Sequence, residues 1–296
     1  MFIQEYIKLL SYYKKHNLDF AKHNYNNVFL GIVNDLSKYA EIKDYRNKEI
    51  LEIGCGQHFT NCLLFANVGA IVTGLDIDYV SQENKFKKSF KTINQNGLMR
   101  AIKSLIRQIV FDPSYYKTIE QLLGGRITKK KINFIICDSL VGNYPLEDEN
   151  YDLIINNAVL EHVKDVDLFA KNIYRLLKPN GVFHIIVHNY YSISGGHDLQ
   201  WAYPDTDPPL NSIPWEHLRS NKRVTWVHLN KYKPEEYLDI FKKYFEIIHF
   251  EGRGINHKPD NPEGKIYLTT EVKKELSQYS KELLLTRAYC VIGKKL

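Results

Sequence analysis

Seven short apolar runs, near residues 49–53, 70–75, 133–137, 152–156, 182–188, 245–250 and 288–293, alternate with segments of helical periodicity. That alternation restricts the chain to an α/β class: an open, mostly parallel sheet with helices on both faces. In "LFAKNIYRLLKPNG", Leu168, Phe169, Ile173, Leu176 and Leu177 recur at helical spacing, and Lys178–Pro179 ends the helix before Gly181 turns the chain into the next strand. Three stretches interrupt the pattern: a basic, mostly helical insertion at 82–131, an aromatic- and Pro/Gly-rich one at 190–234, and a polar loop with a helix at 251–286. Ligands of open α/β sheets bind beyond the carboxyl ends of the strands, where insertions of this kind build pocket walls. The reading is one domain over 1–296, with helices in residues 1–47 packing near that opening.

The bulk properties exclude several classes. No apolar run approaches the ~18 residues a membrane span needs. The first twenty residues read as an amphipathic helix, not an export signal. Cys55, Cys62, Cys137 and Cys290 form no C-x-x-C pair, so free thiols, a cytoplasmic setting and no structural zinc are expected. The net charge of +6 is uneven: from Lys85 to Lys131 twelve Lys or Arg face only Asp112 and Glu120. Such a patch suits a phosphate-bearing acceptor or peripheral contact with an anionic membrane surface, or else is a solvated helical face.

The chemistry starts at "ILEIGCGQHF", residues 50–59, where a buried strand carrying Glu52 runs into Gly54, Cys55 and Gly56. A G-x-G-x-G loop would have a third glycine at 58, and here His58 stands. Glycines let the backbone turn tightly and approach a ligand. Asp76, 22 residues beyond Gly54, closes the second strand region, where a carboxylate accepts from ribose hydroxyls. Asp138 follows the third strand, suited to an adenine amino group.

"LEIGCGQ", "GLDID", "CDS", "YDLIINNAVLEHV" and "RLLKPNGVF", in this order and spacing, resemble the class I S-adenosylmethionine-dependent methyltransferases, and most of all their small-molecule branch. The resemblance covers roughly 48–188 and a final strand. It implies a Rossmann-like seven-stranded sheet whose last strand is antiparallel, with S-adenosylmethionine as cofactor. It also implies that Gly54 and Gly56 pass beneath the methionine part, with Glu52 and Cys55 also among the cofactor-binding residues, that Asp76 holds the ribose, that Ile77 packs on the adenine, and that Asp138 with Ser139 faces the adenine edge. Asn156 would offer its backbone carbonyl to the methionine amino group. A dinucleotide-binding dehydrogenase fits less well, because His58 and Phe59 crowd the helix N-terminus that a pyrophosphate needs; S-adenosylmethionine carries no phosphate.

An alcohol acceptor requires a base, and histidine suits neutral pH. Four are candidates: His162 in "LEHV", His188 at the end of the fifth strand, His197 in "SISGGHDLQWAYP", and His217 in "IPWEHLRS". His197, where two glycines free the backbone and Asp198 follows, is the most suggestive, with His162 as the other catalytic choice. His188, Asp198, Trp215, His217 and Arg219 are placed on the substrate side, the Trp215 ring and the Arg219 guanidinium suiting a sugar ring and a phosphate or carboxylate. A divalent metal on His188, His197, Asp198 and His217 is not expected, since magnesium prefers oxygen ligands. The insertions also resemble, more loosely, bacterial methyltransferases of cell-surface polysaccharide biosynthesis, which implies O-methylation of a sugar or glycan precursor. Other small-molecule, lipid or quinone acceptors are alternatives, as are RNA and protein, though "NNAV" stands where base amino-methylases carry N-P-P-Y. A non-catalytic cofactor-binding partner is a further alternative.

Overall fold

The computed structural model describes residues 16–78, 105–106, 109–127, 132–138, 144–202, 204–205, 212–220 and 227–296. These fall into two compact units, residues 1–137 and 138–296. Seven strands form one sheet in the order β3-β2-β1-β4-β5-β7-β6.

In the first unit, β1 (Glu49–Ile53), β2 (Ile71–Asp76) and β3 (Asn133–Ile136) run parallel, with Glu52 opposite Gly74 and Asp76 opposite Ile136. The chain is helical from 16 to 39, with a π-helical turn at Asn24–Phe29 leading into α1 (Leu30–Tyr39). Phe29 packs edge-on against Phe65 of α2 (Thr60–Asn67), whose residues from Thr60 to Ala66 are all buried. A third helix, α3 (Asp112–Leu123), begins at Asp112–Pro113 and ends at Gly124 in the left-handed region. Asn17 and Asn24 tie the N-terminal helix to it, bonding Phe111 O and the Tyr115 hydroxyl. The basic residues expected at 82–131 fall mostly outside the described residues; within them, α3 is the principal element.

In the second unit β4 (Tyr151–Asn157) and β5 (Leu177–His188) are parallel, and β7 (Ala288–Lys294) runs antiparallel between β5 and β6 (Glu246–Arg253). Helix α4 (Val166–Leu176) starts where the Asp165 carboxylate accepts from Leu168 N at 2.9 Å, and buries Val166, Phe169, Ala170, Ile173 and Leu176. Each of these side chains other than Ala170 contributes roughly 1.5–3 kcal/mol on burial. The helix stops at Leu176, earlier than expected: Leu177 is already extended (φ −71°, ψ 136°), and Pro179 disfavours a helical Lys178. The left-handed residue of that turn is Asn180 (φ 64°). Among the described residues, four shorter or peripheral α-helices follow: α5 (Glu216–Arg219), α6 (Pro234–Lys242), α7 (Thr270–Glu275) and α8 (Lys281–Leu285). No helix among the described residues is long and apolar enough to cross a membrane.

Candidate active site

The glycine loop leaves β1 with Gly54 (φ 75°) and Gly56 (φ 64°) both left-handed. Its amides turn back on β2: Gly54 N and Cys55 N donate to Leu75 O at 2.7 and 3.2 Å, and Gly56 N donates to the Asp76 carboxylate at 2.8 Å. Those donors are the ones a pyrophosphate would require, and the loop spends them internally. A ligand rich in hydroxyl and amino donors fits better. The Asp76 carboxylate, accepting from Gly56 N and Asp78 N, stands at the loop, Ile77 is 49% exposed beside it, and a Cβ at Gly56 would meet nothing within 4 Å. A carboxylate for ribose, an exposed apolar side chain for a flat base, and open space over a glycine are what S-adenosylmethionine asks of a loop.

Two residues assigned to the cofactor face the other way. Cys55 is buried, and its sulfur lies where a Cβ on Gly74 would be 3.0 Å away, so only its backbone can line the loop. Glu52 is buried under α2, accepting from Asn61 Nδ2 at 2.8 Å and from Cys62 N and Sγ at 3.1 and 3.0 Å. Its position corrects direct contact to a role in holding loop and helix together. His58 is likewise engaged: Nε2 lies 3.0 Å from Asp112 Oδ1, the ring stacks on Tyr115, and the Tyr116 hydroxyl donates to His58 O. The position of the missing glycine therefore anchors α3. The bulky Phe59 takes the left-handed conformation there (φ 39°). Asn156, near the end of β4, is fully buried opposite Ile185; Asp138 is partly exposed beyond β3, and Ser139 lies outside the described residues.

Burial pushes the Glu52 carboxyl up to about 7. A raised folded pKa means that this group's contribution to stability is complete below its unfolded value near 4.5 and is lost as pH climbs through about 7. Glu52→Gln removes the titration. Its amide can donate to Asn61 Oδ1, a buried oxygen without a partner among the described residues, once that side chain flips. Denaturant unfolding of both proteins from pH 4.5 to 8 should show the variant gaining on the native chain by up to roughly 3 kcal/mol; parallel curves would remove the titration from Glu52.

The second unit gathers three of the four candidate histidines at the ends of β4 and β5. His162 closes a 3-10 turn, Leu160–His162, and its Nδ1 lies 2.8 Å from His228 O. A carbonyl only accepts, so Nδ1 carries the hydrogen and neutral His162 keeps its lone pair on Nε2. Burial lowers its pKa, as it lowers His197 to about 4 and His188 well below the usual value. The rings of His162 and His197 meet edge to face at 5.0 Å.

His188 Nδ1 lies 2.9 Å from His197 Nε2, and His188 Nε2 lies 2.9 Å from Ser194 Oγ. Ser194 gives its hydrogen to Glu263 Oε2 at 2.6 Å, and Glu263, fully buried, is ion-paired to Arg287. Counting hydrogens along this line fixes every ring. Ser194 has none left, so His188 Nε2 donates to it; neutral His188 then accepts at Nδ1, and His197 Nε2 is the donor. Glu161 completes the group: one ligating atom each of Glu161, His188 and His197 lies within 4.8 Å of the others. Burial raises the Glu161 carboxyl to about 8. Sequence reasoning passed over Glu161, Ser194, Glu263 and Arg287. Glu161, next to His162, was legible in "LEHV"; Glu263 sits about seventy residues beyond Ser194 in a polar loop with no local pattern.

The rest of the expected substrate surface is packed. Trp215 is 0% exposed, in a cluster with Ile193, Trp201, Leu268, Val272, Leu276, Leu284 and Leu285, and its indole donates to Tyr191 O. It cannot stack on a sugar. Arg219 grips Glu275 through Nε and Nη2 at 2.6 and 2.8 Å, which commits its fork to the protein. His217 is buried, donating Nε2 to Tyr190 O, with its pKa pushed down to about 4 by burial. Asp198 accepts from Gln200 N, starting the turn Leu199–Trp201. The two glycines before His197 are not left-handed; His197 itself is (φ 55°). They are needed for close approach: a Cβ on Gly195 would sit 2.2 Å from Tyr190 O, and one on Gly196 2.7 Å from the His217 ring.

Residues 21–249 match the family described as the methyltransferase domain. The chain belongs to that family and is an S-adenosylmethionine-dependent methyltransferase. Among its relatives is the ubiquinone biosynthesis O-methyltransferase of Pelagibacter ubique, 25% identical over 75% of this chain and 72% of that one. The malonyl-[acyl-carrier protein] O-methyltransferase of Calditerrivibrio nitroreducens is 27% identical over 34% of this chain and 31% of that protein. A solved S-adenosylmethionine-dependent methyltransferase from Mesorhizobium loti superposes over 86% of this chain and 94% of that one, with 16% identity and a TM-score of 0.47.

Proposed function

We infer that the chain transfers a methyl group from S-adenosylmethionine to a hydroxyl oxygen of a small molecule, with His162 as general base. The observation that carries this is the pinned tautomer of His162: Nδ1 is held by His228 O, so Nε2 is the proton acceptor. His197, the stronger candidate by sequence, has its Nε2 committed to His188 and braces the His162 ring edge-on.

The cofactor supplies a sulfonium-activated methyl group when bound. Asp76 would hold its ribose, Ile77 would cover its base, and the glycine loop would let its methionine end pass close to the backbone. His162 Nε2 takes the acceptor's O–H proton; the oxygen pair forms the new O–CH3 bond while the S–CH3 pair stays on sulfur. The relative in ubiquinone biosynthesis is an O-methyltransferase by name, and makes hydroxyls of quinone precursors the first acceptors to try. A carboxylate acceptor needs no proton removed and would leave His162 idle. The glycan reading loses the residues that suggested it, since Trp215 and Arg219 are occupied within the protein.

Calorimetric titration with S-adenosylmethionine and detection of S-adenosylhomocysteine with a panel of quinol, sugar, amine and carboxylate acceptors test the reading. Turnover with hydroxyl acceptors is expected; turnover confined to amines or carboxylates would overturn it. Asp76→Ala should weaken cofactor affinity by about 10–100-fold, the loss of hydrogen bonds to a charged group, and an unchanged affinity would remove Asp76 from the site.

A further inference from the structure

We propose that Glu161, His188 and His197 bind one divalent first-row transition-metal ion of the zinc or cobalt(II) kind. Three observations point there independently of any acceptor. First, the ligating atoms converge: one from each residue lies within 4.8 Å of the others, and His188 Nδ1 and His197 Nε2 are 2.9 Å apart. Two nitrogens bound tetrahedrally at about 2.1 Å around one ion are about 3.4 Å apart, so the rings need part by only about half an ångström to admit it. The hydrogen now shared between the rings leaves Nε2 of His197 when the ion binds, since both ligating nitrogens must offer a lone pair.

Second, Glu161 is only 2% exposed, and its Oε1 has no hydrogen-bond partner among the described residues. Its Oε2 receives a long bond from His188 N at 3.4 Å. A buried carboxyl oxygen left without a partner is costly, and a cation between it and two imidazoles satisfies it. Third, the supporting shell is built. His188 donates its remaining N–H to Ser194 Oγ, which is held by Glu263 and, behind it, Arg287. Metal-binding imidazoles are oriented by that kind of relay.

The donor set selects the ion. Two imidazoles and one carboxylate suit borderline transition metals and not magnesium or calcium, which take oxygen shells. The set weighed from the sequence included Asp198 and His217, which the fold uses elsewhere; Glu161 takes their place. Three protein ligands leave coordination positions open. That an acceptor hydroxyl fills one, losing its proton to His162 with no change in the metal's oxidation state, rests on the O-methyl transfer reading; the binding of the ion does not.

The test uses the full chain, stripped with a chelator and titrated with CoCl2 and then ZnCl2. Expected are visible d–d absorption saturating at one equivalent of cobalt, its loss on adding zinc, and affinity for either ion reduced by at least about tenfold in Ser194→Ala. Glu161→Gln and His197→Ala should lose the band. Absence of the band in the native chain, or a band unchanged in both Glu161→Gln and His197→Ala, overturns the site. Thermal unfolding and calorimetric S-adenosylmethionine binding are measured on each variant, so a folding defect in one leaves the other to decide. If the cofactor fails to bind while the cobalt band forms, the methyl-transfer reading falls and the metal site stands.

Discussion

His162→Ala should turn over a hydroxyl acceptor about 10²–10⁴-fold more slowly than the native chain, the usual worth of a positioned base, with cofactor affinity changed by less than about twofold. The size of the loss should depend on the acceptor in a way that packing defects do not. A hydroxyl whose pKa lies below the assay pH arrives already ionised, needs no base, and should lose little in the variant. A series of substituted acceptors read as kcat against acceptor pKa therefore separates the base from a scaffold: the two lines converge at low pKa if His162 takes the proton, and stay parallel if it only supports the turn at Leu160–His162. Parallel lines, or a variant with more than half the native kcat, would return the role to another group.

Gly195→Ala should cost more than about 3 kcal/mol, a loss out of proportion to one methyl group. The added carbon would lie 2.2 Å from Tyr190 O and 2.3 Å from Asn189 O, and both are backbone. Neither can withdraw cheaply, because Asn189 is fastened at three points: its N donates to Arg287 O, and its amide donates to Leu283 O and Thr286 O. Gly31→Ala supplies the contrast within the same protein. Gly31 lies in α1 with nothing within 4 Å of its added carbon, so there alanine should stabilise by up to about 1 kcal/mol. Chemical denaturation of the pair should move the midpoint in opposite directions; a midpoint that does not fall in Gly195→Ala would mean that the Asn189–Gly195 turn rearranges freely.

What the sequence disclosed and what it withheld divide along a physical line. The inner strands are largely buried and read as near-continuous apolar runs, and the edge strands β3 and β6, though only partly buried, keep short ones, so all seven were legible, with boundaries moved by a few residues as at Leu177 and Arg253. The cofactor loop was legible because its glycines and Asp76 answer to local geometry. Side-chain direction was not. "IPWEHLRS" has the composition of a ligand-binding segment, yet Trp215 and Arg219 find their partners about fifty to seventy residues later, in α7 and α8. Composition cannot tell an aromatic that meets a ligand from one that meets leucines. The relay from His197 to Arg287 is assembled across ninety residues with no repeat or spacing to betray it.

The leucine-lined cluster around Trp215 has a consequence for how the protein meets its acceptor. It draws on residues from 193 to 285 and forms a small core of its own, so the turn carrying Ser194 and His197 is bolted to a solid block. Amide exchange through Tyr191–Gly195 should then be slow, reporting opening of the block and not the fluctuation of a surface loop. A site already set before its ligand arrives surrenders little ordering entropy on binding. Such an enzyme discriminates by the shape it holds, and a change of acceptor would have to enter through the core that props the turn as much as through the residues facing the ligand.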